Sequence, residues 1–308
     1  MSVAQTGKTM TVMEKVGPNI ISHVSNSDIT HPVIDIPYFF GINFSVTKHV
    51  VMLWIASIIL LLSIIIPVRV FLNKKTKIPK GWINALELII KFIRDSIVRP
   101  NVGNKWVMTW TPVMLTFFFF ILYANTLGMI PIFDILGLVN RFILKIPYSD
   151  STNFINGLLH GGVTATGNFN VTAGLATVTF FSIILAGTLA HGFIKHFKNL
   201  VPHGLPGPVY IILIPIEVMG LFVKPFALTM RLAANMTGGH IALLALLSLM
   251  AIFGEMFNSV LVGIGVAFIS VPMAAAITGL EIIVILVQAY VFTLLTSVFI
   301  GMAINVHH

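Results

Sequence analysis

Long apolar runs divided by short polar segments govern this chain from residue 49 onward. The first run, about 49–72, is long enough to cross a bilayer, which takes roughly 20 mostly apolar residues. It closes on Arg69, Lys74, Lys75, Lys77 and Lys80. Cationic flanks collect on the cytoplasmic side of a membrane, so this end is expected inside and residues 1–47 outside. Residues 80–100 keep a different rhythm. Ile83, Leu86, Ile90, Ile93 and Ile97 recur every three or four positions, with Lys80, Asn84, Glu87, Lys91, Arg94 and Asp95 between them. That spacing predicts an amphipathic helix, lying on the inner membrane surface or packed in a soluble cap. A second run, 106–130, contains Phe117, Phe118, Phe119 and Phe120 and ends in Asn125-Thr126-Leu127-Gly128-Met129-Ile130-Pro131. The segment after it carries Asp134, Arg141, Lys145, Asp150 and Gly161-Gly162, and is expected outside. A third run, 171–194, returns inward and stops at Lys195, His196 and Lys198.

The C-terminal third is almost free of charge. Between residues 208 and 306 the only Asp, Glu, Lys or Arg are Glu217, Lys224, Arg231, Glu255 and Glu281. An unbroken helix over 216–253 would be about 57 Å long at about 1.5 Å per residue. The hydrocarbon core is only about 30 Å thick. Either this segment breaks into two passes or it inclines strongly, and 256–305 poses the same problem. Hydropathy alone permits five, six or seven crossings.

Composition fixes the class. The chain has 308 residues, 57% of them hydrophobic and 9% charged, with a mean hydropathy of +0.98. Soluble domains carry about a quarter of their residues as Asp, Glu, Lys or Arg. The expected fold is an all-α polytopic membrane protein, with a tail at 1–47 and a membrane-embedded domain at 48–308. No secretory leader is expected, because residues 1–47 are mixed and polar. Cysteine is absent, which removes disulfides and thiolate metal sites. The net charge of +8 does not indicate a nucleic-acid partner, because the basic residues bracket apolar spans and form no soluble patch. Nine of the 18 basic residues lie between Arg69 and Lys105 and two more follow the third run, against five in the proposed outer segments. No internal repeat is visible, which argues against transporter folds built from duplicated halves.

The candidate chemistry sits in the uncharged third. Arg231 lies deep within Leu228-Thr229-Met230-Arg231-Leu232-Ala233-Ala234-Asn235. An arginine at mid-membrane costs about 3 kcal/mol on insertion scales and more than about 10 in simulations. It does not lose its proton at ordinary pH. Such a cation faces a carboxylate, water or both, and an acid within its own bundle is the plain alternative. Glu217, Lys224, Arg231 and Gly238 are seven apart and share one slowly drifting helix face. Asn235 lies one turn beyond Arg231 on nearly the same side. His240, nine residues on, faces away. Ala227, Ala233, Ala234, Gly238 and Gly239 allow close approach of another helix. Glu281 and Gln288 are also seven apart and share a face. A carboxylate, an amide and a histidine in apolar surroundings are the parts of a proton relay. Singly, His240 reads as an interior histidine and Gln288 as a helix–helix hydrogen bond. Glu255, next to Gly254 near an expected turn, reads as a boundary charge.

Lys224-Pro225-Phe226-Ala227-Leu228-Thr229-Met230-Arg231-Leu232-Ala233-Ala234-Asn235-Met236-Thr237-Gly238-Gly239-His240 resembles the signature of subunit a of F-type ATP synthases. The stretch from Glu281 through Gln288 to Phe292 is similar to the final helix of that family. Asn125 to Pro131 and Asn168-Phe169-Asn170-Val171-Thr172 are similar to its shorter motifs. The resemblance covers about residues 49–305 and leaves 1–47 without a role. It implies five crossings and one surface helix, with the last two helices long and steeply tilted against a rotor ring, and a cytoplasmic C-terminus. Arg231 would face the carboxylate of each passing rotor subunit. Glu217 would line the half-channel open to the cytoplasm, and Asn235, His240, Glu281 and Gln288 the one open outside. The implied partners are the c-ring, the peripheral-stalk b subunits and the lipid bilayer, in a bacterial plasma membrane. No cofactor or metal is implied. Some members carry Glu where His240 stands and His where Glu281 stands, so the pair is kept with roles exchanged. Some also carry an acid at the position of Gly128, and its absence here means the outer path must be hydrated in another way.

Two rival readings remain at this point. A stand-alone transporter would use Arg231 to bind an anionic substrate, around broken helices. A membrane enzyme would use its histidines, but His160, His191, His196, His203 and His240 show no metal-binding spacing.

Overall fold

In a computed structural model of the chain, residues 11–24, 32–36, 43–73, 78–130, 139–144, 164–198 and 207–305 are described. The described residues are helical almost throughout. Apart from an isolated bridge between Ile34 and Val46, they form no strand. The helices are α1 (Val12–Val24), α2 (Lys48–Leu72), α3 (Trp82–Phe92), α4 (Arg99–Met129), α5 (Phe169–His191), α6 (Phe193–Lys198), α7 (Gly207–Met256) and α8 (Val260–Ile304). A π-helical turn, Ile93–Val98, joins α3 to α4. Lys8, the cluster Lys74, Lys75 and Lys77, and Asp134, Lys145, Asp150, His160, Gly161, Gly162 and His203 lie outside the described residues, as does the side chain of Arg141.

Five helical segments are long and apolar enough to cross a membrane: Lys48–Leu72, Trp82–Met129, Phe169–His191, Val209–Met256 and Val260–Ile304. Of the five to seven crossings that hydropathy allows, the fold takes five, because the last two runs each remain one helix. α7 has 50 residues, about 75 Å at the usual rise. A helix of that length fits a bilayer by inclining or by projecting beyond it. Pro215 and Pro225 lie inside α7, and Pro272 inside α8.

The amphipathic segment occupies Trp82 to Val98, with Leu86, Ile93, Ile97 and Val98 buried and Glu87 paired to Lys91 at 2.5 Å. Gly103 separates it from the apolar part of α4. Its φ of 79° breaks the helical path, and glycine adopts that conformation without the strain a Cβ would bring. Gly192, at φ 88°, ends α5 the same way. At the other end of α5, Asn168 is the N-cap and accepts from the Asn170 N–H at 2.9 Å.

The chain divides into two compact units. One comprises Val50–Ile130, Thr164–Ala234 and Ile285–His308. Its core joins Ile93, Trp110, Phe117, Ile121, Leu228, Leu232, Phe292 and Ile300. Phe117 meets Phe292 edge-on at 5.4 Å. The end of α8 is tied to the start of α4: Ser297 Oγ donates to the Ile97 carbonyl at 3.3 Å and the Asn305 amide to the Asn101 carbonyl at 2.9 Å. Gly301 permits this closeness, since a Cβ there would lie 2.5 Å from the Asn101 carbonyl oxygen. The other unit comprises Met1–His49, Pro131–Val163 and Asn235–Val284. In it, Gly254 of α7 faces Gly263 of α8, and a Cβ on Gly254 would sit 3.6 Å from the Gly263 Cα. Asn258, at φ 46°, turns the chain between the two helices.

Candidate functional site

Arg231 lies on α7 in the unit built around the aromatic core. Leu228 and Leu232 on either side of it are buried, so the arginine itself is exposed. Among the described residues it makes no hydrogen bond or ion pair. The acid partner expected for a structural arginine is therefore absent among the described residues. Glu217 and Lys224, one and two heptads earlier, are half-buried. Lys224 Nζ lies 5.8 Å from the Phe299 ring centre, a cation–π distance. No member of the heptad row Glu217, Lys224, Arg231 and Gly238 is buried, as their common face requires. Gln288 belongs to the same unit and is 5% exposed.

The other unit brings two of the expected residues together. His240 Nδ1 on α7 lies 3.8 Å from Glu281 Oε1 on α8. Glu281 is buried and His240 half-buried. At 3.8 Å the two atoms are in ion-pair range but too far apart for a direct hydrogen bond. Glu281 Oε1 makes no hydrogen bond among the described residues. A buried carboxylate oxygen with unused capacity beside an imidazole can share or pass a proton through a small shift or one water. Asn235 is exposed in the same unit.

Sequence reasoning named Gly239 only as a small residue. In the fold it makes room for the acid: a Cβ at Gly239 would lie 2.8 Å from Glu281 Oε1 and 3.1 Å from its Cδ. The signal was present in Gly239-His240, an empty position next to an ionisable one.

A polar cluster at the end of α4 was likewise missed as a cluster. The Thr166 hydroxyl donates to Asn125 Oδ1, and both residues are buried. The Thr164 side chain rests on Gly128, leaving no space for a Cβ. A carboxylate at position 128 would have to displace Thr164, so this chain has a buried hydroxyl where the sequence comparison noted a missing acid. Deeper in that unit, Thr229, two residues before Arg231, donates to the Pro225 carbonyl at 3.2 Å. Among the described residues, no group of three or more His, Cys, Asp or Glu could hold a metal ion.

These features define a polytopic helical membrane protein with ionisable side chains set within long apolar helices. Sequence comparison gives the family. The profile described as "ATP synthase A chain" matches residues 50–301, and the chain belongs to that family. It is 40% identical to ATP synthase subunit a of Anaeromyxobacter dehalogenans (strain 2CP-C) over 265 residues, 85% of this chain and 58% of the relative. It is 40% identical to "ATP synthase subunit a 2" of Chlorobium luteolum over 299 residues, 94% of this chain and 76% of the relative. With subunit a of Myxococcus xanthus the identity is 38%, covering 87% and 75%. The chain thus spans somewhat over half the length of the Anaeromyxobacter protein.

Proposed function

We propose that this chain is the proton-conducting stator subunit of a rotary F-type ATP synthase. In this reading it works beside the c-ring, held by the peripheral-stalk b subunits. It forms two aqueous half-channels and is itself non-catalytic. The N-terminus lies outside and the C-terminus in the cytoplasm of a bacterial plasma membrane.

The observation that carries this reading is Arg231, a permanent cation on an exposed face of an apolar helix, with no ion pair among the described residues. A bare cation in hydrocarbon is costly, and in this reading its complement comes from outside the chain. A rotor carboxylate passing that face supplies it. Protons would enter from outside past His240, Glu281 and Gln288, with Asn235 lining the path, and would neutralise a rotor carboxylate. The neutral acid can enter lipid. After nearly a full turn it would release its proton toward Glu217 and the cytoplasm. Arg231 would hold the ionised carboxylate between the two events and repel protons from a direct passage, both through Coulomb interaction in a low-dielectric gap. Lysine would serve less well because burial can strip its proton.

The test is ATP-driven proton pumping in inverted membrane vesicles, wild type against Arg231→Ala, with assembly of the complex checked in parallel. Loss of coupled pumping in an assembled complex is the expected result. Unchanged pumping would make Arg231 a structural residue and would overturn the ion path.

A further inference from the structure

Residues before the first crossing were given no role by the sequence, and Glu255 only that of a boundary charge. The structure joins the two. Glu255 Oε2, in the last turn of α7, accepts a hydrogen bond from the Val12 N–H at 2.6 Å, across 243 residues. Both residues belong to the same compact unit.

The N-terminus of α1 is already organised by its own sequence. Thr11 and Glu14 form a capping box: the Thr11 N–H donates to Glu14 Oε2 at 3.0 Å and the Glu14 N–H to Thr11 Oγ1 at 3.3 Å. The first-turn amides that such a box leaves open carry the positive end of the helix dipole. One of them is Val12, and Glu255 takes it. Glu255 makes no ion pair among the described residues, so this amide is the positive group it meets there. The helix is also one-sided in its exposure. Val12, Val16, Ile20 and Val24, each four apart, are half-buried, while Met13, Lys15, Gly17 and Ile21 between them are exposed. The hydrogen bond from Val12 is therefore the contact that ties α1 to Glu255.

We propose that the turn between α7 and α8 is a binding site for the chain's own N-terminal helix, with Glu255 as its anchor. α7 and α8 are both membrane-crossing helices, so their connecting turn lies on one membrane face, and the contact puts α1 on that face too. The site then ties the N-terminal segment to the hairpin that carries His240 and Glu281. The contact stands on the geometry alone; its assignment to the outer face rests on the topology proposed above.

The chain contains no cysteine, so thiol cross-linking in the assembled complex has no background from this subunit. Val12→Cys with Glu255→Cys should be joined by a short bifunctional thiol reagent. Ile21→Cys with Glu255→Cys, on the exposed side and about 13 Å further along the helix, should not. Independently, Glu255→Ala should speed tryptic cleavage after Lys15 about fivefold, the scale of losing a helix cap, and Glu255→Gln, which keeps an acceptor oxygen, should recover part of the protection. No Val12–Glu255 cross-link, or equal cleavage of wild type and Glu255→Ala, would overturn the anchor. Running the cleavage in right-side-out and inverted vesicles separates the two claims. Protection that depends on Glu255 but is seen only in inverted vesicles would keep the anchor and overturn the proposed topology.

Discussion

The two compact units bury different kinds of residue. In the unit containing α4 and α5, the buried set is led by hydrophobics such as Ile93, Met114, Phe117, Leu232 and Phe292, and among the described residues His196 is its only buried ionisable one. In the unit containing residues 235–284, the buried hydrophobics among the described residues are Val33, Val46, Met236 and Ala274, and Lys48, His49 and Glu281 are buried as well. Burying ionisable groups opposes folding unless they are paired or hydrogen-bonded. Among the described residues, then, the first unit is marked by apolar packing and the second by buried ionisable groups, Glu281 beside His240 among them.

That contrast can be broken most directly at Phe292. Truncation to alanine should cost about 3–5 kcal/mol, as for large buried aromatics. Thermal unfolding and recovery of assembled complex should report it, whatever its effect on pumping. Glu281→Gln should do the reverse. It removes an ionisable group from the proposed proton path while keeping its size, so coupled pumping should fall by about tenfold or more and assembly should persist. Loss of assembly would mean that Glu281 is structural and that the contrast fails. Gly239→Ala sharpens the point. Its methyl group would meet Glu281 Oε1 at 2.8 Å, and overpacking of this kind costs about 1–3 kcal/mol. Pumping should drop several-fold and its pH profile should move, because the carboxylate is pushed from His240. An unchanged pH profile would show that this glycine does not position the acid.

The smallest effect belongs to His196, beyond the end of α5. Its ring fills the space left by Gly187. Burial, and then the nearby His191, lower its pKa from the ordinary 6.5. The folded state therefore favours neutral His196. Its contribution is intact above about pH 6.5 and is lost as the pH falls below that value, where the unfolded chain takes the proton first. His196→Gln should flatten the loss of thermal stability as the pH falls below about 6.5. An equally steep loss in the variant would exclude this histidine as the cause.

Much of this was legible in the sequence because it is local. Run length and flanking charge gave the first three spans, Ile83 to Ile97 gave an amphipathic helix by periodicity, and seven-residue spacing put Glu217, Lys224 and Arg231 on one face. The number of crossings was not legible, because a 50-residue apolar run is compatible with one helix or two. The contacts that arrange the site were hidden for a different reason. Gly239 with Glu281, Thr164 with Gly128, and Val12 with Glu255 join residues far apart in sequence. Each depends on how helices pack, which no window along the chain encodes. Gly103 and Gly192 read as ordinary small residues until their positive φ angles mark where helices stop.

The ties between the end of α8 and the start of α4 carry a consequence for biogenesis. Ser297 meets Ile97, and Asn305 meets Asn101, across 200 and 204 residues. His191 is bonded to the Ile304 carbonyl at 2.8 Å. During synthesis, α4 and α5 must therefore wait in the bilayer with these positions open until residues 297–305 have left the ribosome. The unit built around Phe117 and Phe292 is thus closed by α8, the later-made partner in each of these contacts. A nascent chain stalled before that point exposes an unfinished seam along α4 and α5.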